Sequence, residues 1–186
     1  MVRARDGDRT AFADLVERYW QRLFRWLFHL TRDRHAAEDL AQETFLRAFA
    51  HLQRFQPGTN FTAWIYRIAH NAFANQCRAA RKREPLPDDL YDRGLCPDEE
   101  AIGREAIEDI AEAVEQLPAD FRAALLLRVE EEMSFREIAE VLALTEETAR
   151  WRVFKARQKL LGLLRPEENK TDEPNHGSPA RERGKP

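Results

Sequence analysis

Cysteine is nearly absent from the 186-residue chain, which has only Cys77 and Cys96. Two separated thiols cannot build a disulfide framework, which points to a reducing, cytoplasmic setting. Seven glycines and nine prolines are too few for collagen or a low-complexity linker. No run approaches the roughly 18 uncharged apolar residues of a membrane span, so membrane insertion is not expected. The opening Met1-Val2-Arg3-Ala4-Arg5-Asp6 has no apolar signal core. A Gly-rich phosphate loop, an HExxH pair and a nucleophile elbow are all missing, so no catalytic residue is assigned and an enzyme is not expected. The histidines are dispersed and Cys77 has no ligand-spaced neighbour, so neither metal nor cofactor is expected.

What remains is a 43% apolar, 34% charged chain, enough for one core or two small ones. The net charge of −3 hides a strong pattern. Residues 1–83 carry 15 basic and 8 acidic side chains, and residues 84–117 carry 2 and 12. Residues 118–165 carry 9 and 8. An acidic bridge thus separates two more basic blocks, and local fields of that kind are compatible with nucleic acid as a partner despite a near-neutral pI.

No proline or glycine falls between Gly7 and Pro57 or between Gly58 and Pro85. Breaker-free runs rich in Ala, Leu, Arg and Glu read as helices, and no period-two alternation argues for strands. The expected helices cover about 10–30, 34–55, 61–82 and 98–116, then 119–131, 135–143 and 146–164. Asp33, Ser134 and Thr145 are the expected N-caps, and Ser134-Phe135-Arg136-Glu137 reads as a capping box. The fold class is therefore all-α, with two small helical domains at 8–83 and 105–165, an acidic linker at 84–104 and a disordered tail at 166–186.

Three faces carry chemistry. The helices at 135–143 and 146–164 meet at the short turn Ala143-Leu144-Thr145, and the second carries Arg150, Arg152, Lys155, Arg157 and Lys159. That suits a helix-turn-helix on DNA, or equally a helical hairpin with a solvated charged face. The 61–82 helix sets Arg67, Asn71 and Arg78 opposite a stripe of Phe61, Trp64, Ile65, Ile68 and Ala72, with Asn75 adjacent. Basic side chains beside aromatics suit unpaired DNA, although aromatics at such spacing more often serve only a core. On the 34–55 helix, Asp39, Gln42, Glu43 and Leu46 lie off the apolar stripe. They fit a protein-docking face, or simply a helix stabilised by a Glu43–Arg47 pair.

Two blocks carry a family resemblance. Asp39-Leu40-Ala41-Gln42-Glu43-Thr44-Phe45-Leu46, followed by Phe61-Thr62-Ala63-Trp64-Ile65-Tyr66-Arg67-Ile68-Ala69-His70-Asn71, closely resembles region 2 of the extracytoplasmic-function (ECF) group of sigma-70 family RNA polymerase sigma factors. Leu117-Pro118, Ser134-Phe135-Arg136-Glu137-Ile138-Ala139 and Lys155-Ala156-Arg157 resemble region 4 of that group. The resemblance implies that Asp39, Gln42 and Glu43 dock on the polymerase β′ clamp helices. It implies that Phe61, Trp64, Tyr66, Arg67, Asn71, Asn75 and Arg78 open and hold the −10 promoter DNA. It further implies that the helix from Thr145, through Glu146, Glu147, Thr148, Arg150, Trp151, Arg152, Lys155 and Arg157, reads the −35 element. The chain departs from the group's pattern at Asn75 and around the turn, where Ala143, Glu147, Ala149 and Trp151 stand.

The function so implied is promoter recognition, DNA melting and transcription initiation with core polymerase, contacted at the β′ clamp helices and β flap, under the control of an anti-sigma factor. The competing reading is a stand-alone helix-turn-helix regulator that binds duplex DNA without polymerase.

Overall fold

A computed structural model describes residues 2–56, 58–83 and 104–164. Residues 84–103 of the expected acidic linker and the expected C-terminal tail lie outside these residues, as does Cys96. Eight α-helices are present among the described residues: α1 Val2–Arg5, α2 Arg9–Thr31, α3 Arg34–His51, α4 Phe61–Arg83, α5 Arg104–Glu115, α6 Ala119–Val129, α7 Phe135–Leu142 and α8 Glu146–Leu164. A 3₁₀ turn, Leu52–Arg54, closes α3. The short α1 has no counterpart in the sequence reading.

Local chemistry explains the boundaries. Asp8 and Asp33 cap α2 and α3 by accepting from the backbone N–H of Ala11 and Ala36, each at 3.0 Å. Asn60 caps α4 through Oδ1, which accepts from Thr62 N at 2.9 Å. The expected capping box forms: Ser134 Oγ accepts from Glu137 N, and the Glu137 carboxylate accepts from Ser134 N at 2.8 Å. Thr145 Oγ1 accepts from Thr148 N at 3.2 Å and opens α8. These bonds satisfy N–H groups that the first helical turn leaves free.

The first half of the chain packs α2, α3 and α4 together, and the second packs α5, α6 and α7 around α8. The halves touch through α2 on α6 and α4 on α7. Buried apolar residues of both halves form one continuous cluster, with Trp26, Tyr66, Ile65 and Leu127 fully enclosed. The Trp26 indole meets the Tyr66 ring edge-on at 5.2 Å and points its N–H at Ala123 O of α6, 3.5 Å away.

Ion pairing crosses the same seam. Arg22 of α2 grips Glu131, in the turn after α6, through Nη2–Oε2 at 2.6 Å and Nε–Oε1 at 3.2 Å. The Glu131 side chain is only 2% exposed, so this is a largely desolvated, bidentate pair between positions 109 residues apart. Burial, with Arg122 and Arg25 nearby, pushes the His29 pKa down to about 4. Burial also lowers that of His70, against an upward pull from Asp120. Both imidazoles are therefore neutral at pH 7 in this fold.

Candidate nucleic-acid and partner interfaces

Between α2 and α3 lies an open groove of about 910 Å³. Phe12, Val16 and Trp20 from α2 and Phe45, Leu46 and Phe49 from α3 make its apolar floor and walls. Leu46 is 71% exposed and Phe49 50%, unusual for large apolar side chains on a surface that faces only water. The Phe12 ring meets the Phe49 ring edge-on at 5.0 Å, and the Trp20 indole stacks with the Phe45 ring at 5.9 Å. Gln42 is exposed at the groove, Asp39 is exposed one turn before it on α3, and Glu43 is half-buried and paired with Arg47. The expected i,i+4 pair thus forms on the same helix that exposes Asp39 and Gln42. The α2 half of the groove escaped the sequence reading because Phe12, Val16 and Trp20 follow the same spacing as ordinary core residues.

A second cavity, about 350 Å³, sits at the start of α4. Arg54, Phe55, Gln56, Thr59 and Asn60 come from the 3₁₀ turn and loop, and Ala63, Trp64 and Arg67 come from α4. Trp64 meets the Phe55 ring edge-on at 5.2 Å and the tilted Phe61 ring at 5.6 Å. The loop turns at Gly58, whose φ of +90° strongly favours glycine. The cavity combines amide donors and acceptors, a hydroxyl, two guanidinium groups and an aromatic wall, the set that a single unpaired base with its phosphate needs. Gln56, Thr59 and Asn60 were read only as loop residues. The Pro57-Gly58 turn and the Asn60 cap were the available signals.

Along α4, Arg67, Asn71, Asn75 and Arg78 are exposed in one ridge. Asn75 Oδ1 accepts from Arg78 Nη2 at 2.6 Å, which orders both side chains. Two of the residues expected to contact DNA lie in the interior here: Tyr66 is fully buried and Phe61 nearly so. Both rings meet α2: Tyr66 packs on Trp26 and Phe61 on Tyr19, each at 5.2 Å. In this conformation they serve the core, and Trp64, half-buried, is the aromatic that lines the cavity.

On α8, Ala149, Val153 and Ala156 are buried while Glu146, Glu147, Arg150, Phe154 and Arg157 face outward. Arg150 pairs with Glu146 at 3.1 Å and lies over the Phe135 ring, 5.2 Å from its centroid. Lys155 and Thr148 are half-buried, with Lys155 donating to Gln158 at 3.2 Å. Arg152 departs from the expected phosphate contact: it is half-buried and paired with Asp120 of α6 at 2.8 Å. Trp151 divides its surface, half exposed and edge-on to Phe121 at 5.5 Å.

Profile comparison matches residues 15–83 to sigma-70 region 2 and residues 107–160 to sigma-70 region 4. The chain is 33% identical over 176 residues to the RNA polymerase sigma-H factor of Pseudomonas aeruginosa, covering 88% of this chain and 91% of that one. It is 37% identical over 167 residues to the ECF sigma factor SigE of Mycolicibacterium smegmatis, with 85% of this chain matched but only 64% of the relative. Similar solved structures include the sigma factor RpoE with the anti-sigma factor NepR from Bartonella quintana, at a TM-score of 0.73 and 26% identity over 84% of this chain and 98% of that one. The structure of CnrH with the cytosolic domain of CnrY is similar at a TM-score of 0.66 and 26% identity, covering 89% of this chain and 95% of that one.

Proposed function

The chain belongs to the sigma-70 family of RNA polymerase sigma factors, in the ECF group, and from that premise we propose which of its surfaces perform each step. It is a sigma factor that joins core RNA polymerase and directs promoter-specific transcription initiation. Residues 8–83 form the unit that docks polymerase and opens the −10 element, and residues 105–165 the unit that binds the −35 element.

Docking is assigned to the α2–α3 groove. A helical hairpin such as the β′ clamp helices can bury Leu46 and Phe49 while Asp39, Gln42 and Glu43 supply polar contacts at the rim. The carrying observation is that this apolar groove lies beside the polar triad on the same helix. A solitary duplex-binding regulator has no use for such a groove, so the competing reading is set aside. At the −35 element, Arg150, Lys155 and Arg157 meet phosphates, and Glu146 and Glu147 lie at the N-terminal end of α8, where side chains reach base edges.

Melting requires no covalent step. An unpaired −10 base enters the cavity at the start of α4, where it stacks against Trp64 and is read by Gln56, Thr59 and Asn60. Arg54 and Arg67 hold its phosphate, and the Asn71–Arg78 ridge carries the strand onward. Captured unpaired bases offset the lost pairing, so binding energy shifts the duplex toward the open state. The protein acts in the cytoplasm, where its polymerase is, and an anti-sigma factor covers the same surfaces, by analogy with the complexed relatives. Transcription from a promoter library with purified core polymerase tests the reading. Addition of the protein is expected to switch on a promoter subset, and an unchanged transcript profile would refute it.

A further inference from the structure

We infer that Phe135 is a positioning residue: its ring, in the first turn of α7, holds the Arg150 guanidinium of α8 in the pose that meets a DNA phosphate. The inference rests on the reading of Arg150 as a −35 phosphate contact, and it names what sets the strength of that contact.

The ring is fixed before any DNA arrives. The capping box of Ser134 and Glu137 starts α7 and so orders the backbone on which Phe135 stands. The side chain is half-buried and packs on the core cluster. From the last turn of α6, Arg128 lies over the same ring, 5.1 Å from its centroid, while its Nη1 donates to Met133 O at 2.7 Å. These contacts tie the ring to α6 and to the turn before α7.

Arg150 adds α8 to the same ring. It is exposed, its guanidinium lies over the ring 5.2 Å from the centroid, and its Nη2 pairs with Glu146 at 3.1 Å. The Glu146 pair is an ordinary i,i+4 contact that one helix makes alone. The ring contact is different, because it exists only where α7 and α8 pack together. A guanidinium over an aromatic face is held through its flat surface, and the N–H groups in its own plane stay available to an anion. A phosphate can therefore displace Glu146 while the ring contact persists. A free arginine loses much rotamer freedom when it grips a phosphate, and one already seated on a ring loses less. Two guanidinium groups on one ring also repel each other, and an arriving phosphate offsets that repulsion.

The full chain exposes this face of α8, so it is tested whole. The variants are Phe135→Leu, Phe135→Tyr, Arg150→Ala, and Phe135→Leu combined with Arg150→Ala. Leucine keeps apolar bulk against the core but has no aromatic face, and circular dichroism melting verifies that each variant is folded. Fluorescence anisotropy, read well below the melting midpoint, gives affinity for a labelled duplex pool of random sequence across a salt series, with no polymerase present. Phe135→Leu is expected to bind roughly fivefold more weakly, as one exposed cation–π contact is lost. It should keep the wild-type salt slope, because the phosphate is still gripped, whereas Arg150→Ala should flatten the slope by about 0.9. Phe135→Tyr, which retains the ring, should bind as wild type does. In the Arg150→Ala background, Phe135→Leu should change affinity no further, since the ring then has nothing to position. Wild-type affinity in Phe135→Leu, a tyrosine variant as weak as the leucine one, or an equal loss with and without Arg150 overturns the inference. If Arg150→Ala itself binds as wild type does, Arg150 is not a phosphate contact and the inference falls with that reading. A weakened Arg150→Ala beside an unaffected Phe135→Leu sinks the inference alone.

Discussion

Ala143, like Arg32 and Glu132, is a non-glycine residue held at a φ of 54°. It ends α7 in the left-handed region, at φ 54°, and joins it to α8 through Leu144 N donating to Ala139 O at 2.9 Å. A Cβ is costly in that conformation. Ala143→Gly is therefore expected to stabilise the fold by about 0.5–1 kcal/mol after the greater unfolded-state freedom of glycine is deducted. A rise of roughly 2–3 °C in thermal midpoint would register it, and a fall would mean that the turn is not strained. At the cavity, Trp64 and Asn71 should part company. Trp64→Ala removes a half-buried ring packed on Phe55 and Phe61 and should cost about 2–3 kcal/mol, less than a fully enclosed indole. Asn71→Ala should leave the melting curve unmoved and impair promoter opening, visible as lost permanganate reactivity at the −10 region. Normal opening by the folded Asn71→Ala protein removes Asn71 from the strand path.

At the scale of the element, α8 sorts its outward residues by chemistry. Arg157 is exposed on the outward face, and Arg157→Ala should weaken binding to all duplexes alike and flatten the salt slope by about 0.9. A slope equal to wild type would place Arg157 off the phosphates. Glu147 can accept from a cytosine amino group, so Glu147→Ala should shift the preferred −35 sequence by about 1–3 kcal/mol at one position in selection from a randomised pool. Trp151→Ala should instead lower stability, because its edge-on contact with Phe121 is lost. On α3, Gln42→Ala with Glu43→Ala should change stability by under about 0.5 kcal/mol, yet reduce capture of core polymerase. Undiminished capture would leave docking to the apolar groove alone.

The whole molecule carries a pH dependence through its seam. His29 of α2 lies half-buried near Arg122 of α6 and Arg25, and its pKa is depressed from 6.5 to about 4, by desolvation first. The unfolded chain therefore binds this proton more tightly than the native one. The stability at stake is intact above pH 6.5 and is lost as pH falls toward 4, by up to about 1.4 kcal/mol per unit. Burial raises the Glu130 carboxyl, which acts in the opposite sense, its contribution being lost as pH rises through that higher value. Denaturant unfolding of wild type and His29→Gln at pH 7 and pH 5 separates them. The difference between the two pH values should shrink in the variant, and an equal difference would mean that the fold does not depress the His29 pKa.

Helix periodicity, proline and glycine spacing and cap residues made the all-α architecture legible residue by residue, because each depends on neighbours within four positions. Asp33, Ser134 and Thr145 cap their helices as read. The motifs that carry family membership are equally local, so the polymerase and promoter partners follow from the chain alone. Which side chains face outward in three dimensions was decided by long-range packing. Tyr66 and Phe61 turned into the core because α2 offered Trp26 and Tyr19 to receive them, and Arg152 turned to Asp120 on another helix. The α2 wall of the α2–α3 groove, the loop side of the α4 cavity and the Arg22–Glu131 pair join residues that no helical period relates. Only tertiary structure could reveal them, because burial, the desolvation of a carboxylate and the closing of one half upon the other are properties of contact, not of sequence order.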